Sequence, residues 1–275
     1  MFKHFQDHPG AYEEPLQGGN QTDDVVRIGD TVRRPNQPWS PAIRALLDHL
    51  ETVSPGIAPE SLGLDQKGRD TISFVEGETG HYPLSASMRT DVSLIRTARL
   101  LRRYHDATAD LADRIDLPWA NADPDPARRE VICHNDVAPY NIIFQDGSPA
   151  VLFDFDHAGP GPRIRDLAYA VYRFAPLASN ESCRHFGWET PPDRDERMLR
   201  FVDAYGPTSI DGLIPMVEQR IRDLRDNIAA LAQSNPERVR VHLAEDHVGS
   251  YNRDLAWITA NRSELQDALK AAGSS

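Results

Sequence analysis

The stretch "VVRIGDTVRR" holds two β-rich runs joined at Gly29-Asp30, a Gly-X pair suited to a tight hairpin turn. After Pro35 the period changes. In "SPAIRALLDHLE", Ile43, Leu46, Leu47 and Leu50 recur at helical spacing, with Ser40 as the expected N-cap and Pro41 at the first helical position. "SLGLDQKGRDTISFVEGE" alternates apolar and polar residues on either side of "DQKG", which predicts a second hairpin. The character changes again at Glu76-Gly77-Glu78. Beyond Thr90, the positions Val92, Ile95, Leu101, Tyr104 and Leu111 form a helical stripe, and the chain after Arg165 is mostly helical. Two short apolar runs interrupt those helices, "VICHNDVAPYNIIF" and "PAVLFDFDHAG", separated by a "QDGS" turn. The pattern predicts an α+β chain with a small β-rich lobe over residues 1–76, ending in a hinge, and a larger helical lobe over residues 77–275.

A chain of 275 residues can bury a sizeable core, and 40% hydrophobic with 26% charged residues is ordinary for a globular protein. No run has the length of a signal-peptide core or a membrane span, so the expectation is a cytoplasmic protein with no membrane partner. Cys133 and Cys183 stand far apart without metal-ligand spacing and read as reduced thiols. A net charge of −12 argues against a nucleic-acid surface and would suit a cationic small molecule, although acidity also serves solubility.

The chemistry concentrates where the apolar run "VICHNDVAPYNIIF" is broken. His134, Asp136 and Asn141 form H-x-D-x-x-x-x-N, and Asp154 opens "DFD" downstream. Phosphoryl transfer needs a carboxylate beside the attacking hydroxyl and oxygen ligands that hold magnesium on a triphosphate. A loop Asp, an Asn entering one strand and an Asp leaving the next can converge at one end of a hairpin. Asp136 is then the base or orienter, and Asn141 and Asp154 are the metal ligands.

"CHNDVAPYNIIF" followed by "VLFDFDHAGPGPRIRDLAYAV" resembles the aminoglycoside phosphotransferase and choline kinase superfamily, whose members share the two-lobed protein-kinase fold. The likeness extends through "FVEGE" and "ARLLRRYHDAT", and "IGDTVRRP", "APESLGLD" and "HNDVAPYN" resemble a trifolitoxin-immunity-like bacterial branch. The resemblance implies ATP or GTP as co-substrate, magnesium, and a small-molecule acceptor. It places His134 in support of the catalytic loop, and Asp156 at a second magnesium or a basic neighbour. Asp166 would support the loops, for instance as a helix cap, and His105 would pack between the lobes. Gly18, Gly19 and Asn20 fall where a phosphate-covering loop belongs, and hinge residues Phe74, Val75 and Glu76 would face adenine. One departure concerns the third strand. Where the superfamily has a lysine braced by a helix glutamate, this chain offers Arg34, with Ile43 at the glutamate's position.

Taken singly, His-x-Asp is more often structural and Asp-Phe-Asp can be a strand end. Tyr140 and Cys133 read as packed side chains. Acidic residues of the helical lobe, Asp193, Asp195, Glu196, Asp223, Asp226, Glu245 and Asp246, with Trp188, Trp257 and Tyr251, are candidates for a cationic acceptor. Two functions compete: a magnesium-dependent kinase that transfers the γ-phosphoryl of ATP or GTP to an aminoglycoside, an amino alcohol or another metabolite, and a kinase-fold binding or immunity protein with little turnover. No "APE"-like motif follows "DFD", which disfavours a protein kinase.

Overall fold

The computed structural model describes residues 12–16, 24–112 and 116–273. Gly18, Gly19 and Asn20 lie outside them.

Strands β1 (Glu14–Pro15), β2 (Val26–Ile28), β3 (Thr31–Arg34), β4 (Ser61–Leu64) and β5 (Asp70–Ser73) form an antiparallel sheet in the order β1-β2-β3-β5-β4. Ile28 pairs with Thr31, so Gly29-Asp30 is a two-residue turn, and Gly29 supplies its left-handed position at φ +57°. The second hairpin turns where expected, with Asp65 accepting the backbone N–H groups of Lys67 and Arg69. Helix α1 (Ser40–Val53) buries Ile43, Leu46, Leu47 and Leu50. Its N-cap is Trp39, not Ser40. Ser40 is buried instead, and its hydroxyl is bonded to the Asp70 carboxylate, which draws it away from the helix end.

Short β6 (Glu78–Thr79) leads out of this sheet and pairs with β8 (Ile142–Gln145), which forms a hairpin with β9 (Ser148–Leu152). The remainder is mainly helical, as α2 (Asp91–Thr108), α3 (Arg163–Phe174), α4 (Asn180–His185), α5 (Arg194–Tyr205), α6 (Leu213–Ser234), α7 (Arg240–Ala244) and α8 (His247–Gly273). A β-rich N-terminal region thus precedes a larger helical one, as the pattern predicts. Thr90 caps α2 by accepting the Ser93 N–H. The buried face of α2 runs through Leu94, Ala98, Leu101 and Tyr104, and Val92 is turned to solvent at 58% exposure. The expected stripe is therefore misplaced at its start by part of a turn.

Strand β7 (Val131–Cys133) is fully buried and pairs with β10 (Gly159–Gly161). Glycine is required at 159, because a Cβ there would lie 1.4 Å from the Asn121 carbonyl oxygen. Strands β7 and β8 therefore do not pair with each other. The chain between them, residues 134–141, is free to form a loop over the end of the β8–β9 hairpin. Among the described residues, no helix is long and apolar enough to cross a membrane.

Candidate active site

Burial makes β7 inflexible, and Asp166 in the first turn of α3 anchors the two residues just beyond its end. The Asp166 carboxylate, itself fully buried, accepts the backbone N–H of His134 at 2.6 Å and of Asn135 at 2.7 Å. His105 donates to it at 3.1 Å through Nε2, while His105 Nδ1 meets the Tyr205 hydroxyl at 2.7 Å. Burial works against the Asp166 charge, but the His105 and backbone hydrogen bonds outweigh it and lower its pKa. Burial lowers the His105 pKa, against the pull of Asp166. Asp166 thus ties down the loop rather than capping a helix, and His105 packs among α2, α3 and α5 rather than between the lobes.

Asn135 takes φ +65°, a conformation asparagine tolerates, and its carbonyl accepts from Arg220 at 2.6 Å. His134 donates from Nε2 to the Phe153 carbonyl at 2.9 Å, and the Phe153 N–H donates to the Asn141 carbonyl at 3.1 Å. These two bonds place Asp154 beside Asn141. Asn141 Nδ2 donates to the Asp136 backbone carbonyl at 2.9 Å and to Asp136 Oδ2 at 2.8 Å, and the Tyr140 hydroxyl donates to Asp136 Oδ1 at 3.1 Å. His134, Asp136 and Asn141 are therefore gathered by one hydrogen-bond network, and both His134 and Asn141 hold Phe153, the residue before Asp154.

Arg34 reaches this network from β3. Its guanidinium pairs with Asp156 and lies 3.9 Å from Asp154 Oδ1. Trp39 Nε1 also donates to Asp156, at 3.3 Å. Burial opposes the Arg34 charge, but Asp156 and Asp154 raise its pKa on balance. Burial raises the Asp154 pKa; Asp156 adds to the rise, and Arg34 opposes it. Asp70, the register partner of Arg34, is held by Ser40 and Arg44 of α1. The helix thus sends a cation to the strand where the superfamily pattern sends a glutamate. These groups line a cavity of about 20 Å³, room for roughly one water.

Residues 78–200 match the phosphotransferase enzyme family. The matched segment runs from β6 into α5 and contains His134, Asp136, Asn141, Asp154 and Asp156, but not Arg34. The chain is also 29% identical, over 92% of its own length and 97% of the relative's, to the trifolitoxin immunity protein of Rhizobium leguminosarum bv. trifolii. Solved structures share its fold. A spectinomycin phosphotransferase complexed with ADP and spectinomycin superposes with a TM-score of 0.59 at 13% identity, covering 91% of this chain and 93% of that one. A choline/ethanolamine kinase family protein from Mesorhizobium loti gives 0.56 at 17% identity, over 90% and 92% of the two chains. The resemblance drawn from the sequence is thereby borne out, together with the two-lobed kinase-like fold.

The donor set of this phosphotransferase-like site is chemically suited to magnesium. Asn141 spends its Nδ2 on Asp136, leaving Oδ1 as an acceptor, and Asp154 and Asp156 add carboxylate oxygens, all hard ligands. At the hinge, the Phe74 N–H donates to the Asp30 carbonyl at 2.8 Å, and Gln145 donates to the Glu76 carbonyl at 3.0 Å. Arg27 covers the Phe74 ring at 3.6 Å and pairs with the Glu76 carboxylate at 3.1 Å. Val75 has no backbone bond to another described residue.

The acidic residues and aromatic rings considered for a cationic acceptor do not assemble. Trp257 faces Arg194 at 4.3 Å and Trp188 faces Arg197 at 4.8 Å, so the chain's own cations cover them. Asp193 caps α5, Glu196 pairs with Arg200, Asp226 with Arg225 and Asp246 with Arg253. Asp223 accepts from Gln219, Glu245 meets His247, and Tyr251 is buried. Sequence reading missed Arg173 of α3, which donates to the Tyr140 hydroxyl at 3.1 Å. Its signal was a lone cation inside the apolar stripe of "DLAYAVYRF".

Proposed function

We propose that the chain is a phosphotransferase that moves the γ-phosphoryl of ATP or GTP to a hydroxyl of a small molecule. The observation that carries this reading is the bonding of Asn141 to Asp136 and to Phe153, the residue before Asp154, which supports Asp136 as the acceptor carboxylate beside metal-type oxygen ligands. Asn141 and Asp154, with Asp156, would hold magnesium, which would neutralise charge on the triphosphate when bound. Asp136 orients the acceptor hydroxyl. The hydroxyl oxygen bonds to the γ-phosphorus, the bond to the β–γ bridging oxygen breaks with its electron pair on the nucleoside diphosphate, and the hydroxyl proton passes to Asp136. A carboxylate is a weak base towards an alcohol, so positioning is the larger contribution of Asp136 in a loose transition state. His134 holds Phe153 and hence the approach to Asp154. Residues 1–76 form the nucleotide-covering lobe, with Val75 facing the base and Arg34 moving from Asp156 to the phosphates, and residues 77–275 form the acceptor lobe.

A second reading is a kinase-fold binding or immunity protein. The name of the Rhizobium relative favours it, as does the hold of Arg34 on Asp156. Thermal-shift titration with ATP and GTP, with and without magnesium, followed by phosphorus NMR with candidate acceptors, separates the two. Magnesium-dependent stabilisation and a new phosphate ester support transfer; stabilisation without an ester supports binding alone, and no stabilisation removes the nucleotide from both.

A further inference from the structure

The two carboxylate oxygens of Asp136 face different neighbourhoods. Oδ2 meets Asn141 on the metal-ligand side, while Oδ1 meets Tyr140, whose hydroxyl in turn accepts from Arg173. Arg173 is only 9% exposed, yet among the described residues it has no ion pair, and its single hydrogen bond goes to Tyr140. Its Nε is buried without a partner. Aromatic rings surround the guanidinium instead, with Tyr82, Tyr140, Tyr169, Tyr172 and Phe186 at 5.3–5.6 Å. Cation–π contacts offset part of the desolvation of a guanidinium, but they leave its N–H donors unused, and a buried charge without an anion is costly.

Two further observations point the same way. Arg220, 7% exposed, lies over the other neighbour of this cluster, Tyr169, at 5.5 Å, and it too has a buried, unpartnered Nε and no carboxylate partner among the described residues. The Tyr82 hydroxyl is buried with no hydrogen-bond partner. Tyr82 and Tyr140 are half-buried, so the outer wall of the cluster is open to solvent in part. On a chain of net charge −12, this places concentrated positive charge and unused donors beside the proposed acceptor carboxylate. Asp136, through Tyr140, and Asp254, which accepts from the Tyr172 hydroxyl at 2.7 Å, are the carboxylates at the cluster's margin, but neither pairs with Arg173.

Resting on the phosphotransfer reading, we propose that the acceptor is an anionic alcohol, whose hydroxyl lies at Asp136 and whose carboxylate or phosphate monoester is bound by Arg173. The guanidinium fork matches either oxyanion. The Tyr140 hydroxyl bridges Asp136 Oδ1 and Arg173 Nη2 through two hydrogen bonds of 3.1 Å, so the carboxylate and the guanidinium's remaining donors lie within the reach of one short hydroxy acid. Arg173 thus selects the acceptor.

The test uses a matched set on one three-carbon frame: glycerate, glycerol 3-phosphate, glycerol and 3-amino-1,2-propanediol. Binding is read without nucleotide by saturation-transfer NMR, and transfer is read by phosphorus NMR with magnesium and ATP. The full-length protein should bind an anionic member more tightly than glycerol, and the amine least of all; glycerate over glycerol 3-phosphate, or the reverse, identifies the oxyanion. Arg173→Gln should weaken anion binding about 10- to 100-fold, and Arg173→Lys should recover part of it. Anion binding that needs Arg173 but yields no ester upholds the anion site and removes the phosphotransfer reading. An amine that binds as tightly as glycerate, no anion binding by the unmodified chain, or a folded Arg173→Gln variant within threefold of it, overturns the proposal. Should both variants fail to fold, the order of affinities in the unmodified chain decides.

Discussion

Arg34 stands between two proposed metal ligands, so its removal should have opposite effects on metal and nucleotide. Unit charges 3.9 Å apart, the Arg34–Asp154 separation, interact by about 4 kcal/mol at an effective dielectric constant near 20. The Asp154 side chain keeps 48% of its surface open to solvent, so screening reduces that figure to about 1–2 kcal/mol. Arg34→Gln removes this competition, and it leaves the Asp154 and Asp156 carboxylates to repel each other unless a cation joins them. The nucleotide-free variant should therefore bind Mn²⁺, used in place of magnesium, about 5- to 30-fold more tightly, measured by paramagnetic resonance of the free ion. Its affinity for ATP should fall about 10-fold or more, because a charge-assisted contact to phosphate is lost. Unchanged or weaker manganese binding in a folded Arg34→Gln variant would refute the reasoning, since Arg34 would then not occupy the place of the cation.

Four further outcomes are expected. Asp136→Asn should lower turnover about 10²- to 10⁴-fold with ATP affinity, by calorimetry, within threefold of the unmodified chain; retained turnover removes the acceptor role. Asp154→Asn should abolish the magnesium-dependent part of ATP binding while leaving the urea midpoint unchanged or raised, and a clear loss of stability would make Asp154 a structural partner of Arg34. Asp166→Asn should cost about 3 kcal/mol in urea unfolding, because a buried N–H of His134 or Asn135 loses its acceptor; a loss under about 1 kcal/mol contradicts the loop anchor. Folded pKa values of His105 and Asp166 are both lowered, so their stabilising contributions are full above the unfolded values, about 6.5 and 4, and are lost as pH falls through the folded ones. Melting temperature should accordingly begin to fall below about pH 6.5, and His105→Gln should flatten the profile between there and about pH 4.

Much of this fold was legible because its signals are local. Gly29-Asp30 and "DQKG" specify their turns through residues adjacent in sequence, and α2 announces itself through its stripe. The spacing of Asp136, Asn141 and Asp154 was legible too, since the last two flank the two strands of one hairpin. What escaped depends on distant chain segments meeting. Ser40 resembles an N-cap until Asp70, from another hairpin, bonds its hydroxyl. Val92 fits an apolar stripe until α5 and β9 choose the face of α2 that is buried. The rings around Arg173 come from Tyr82, Tyr140, α3 itself and Phe186, so no window of sequence displays the cluster.

The expense of the candidate site is also informative about its purpose. Asp154 sits at φ +61° and Asn135 at φ +65°, left-handed positions that cost a side chain of this kind something on the order of 1 kcal/mol. Asp154 is further opposed by partial desolvation and by the charges of Asp156 and Asp136, so its ionised form is disfavoured unless Arg34 or another cation is near. A neutral Asn would keep the left-handed conformation and shed the repulsion. A chain that needed only a rigid loop would gain from that exchange, because His134, Asn141 and Phe153 already hold the backbone without the Asp154 carboxylate. The carboxylate is therefore best explained by a ligand that needs it. Arg34, 3.9 Å away, offsets its charge in the absence of that ligand.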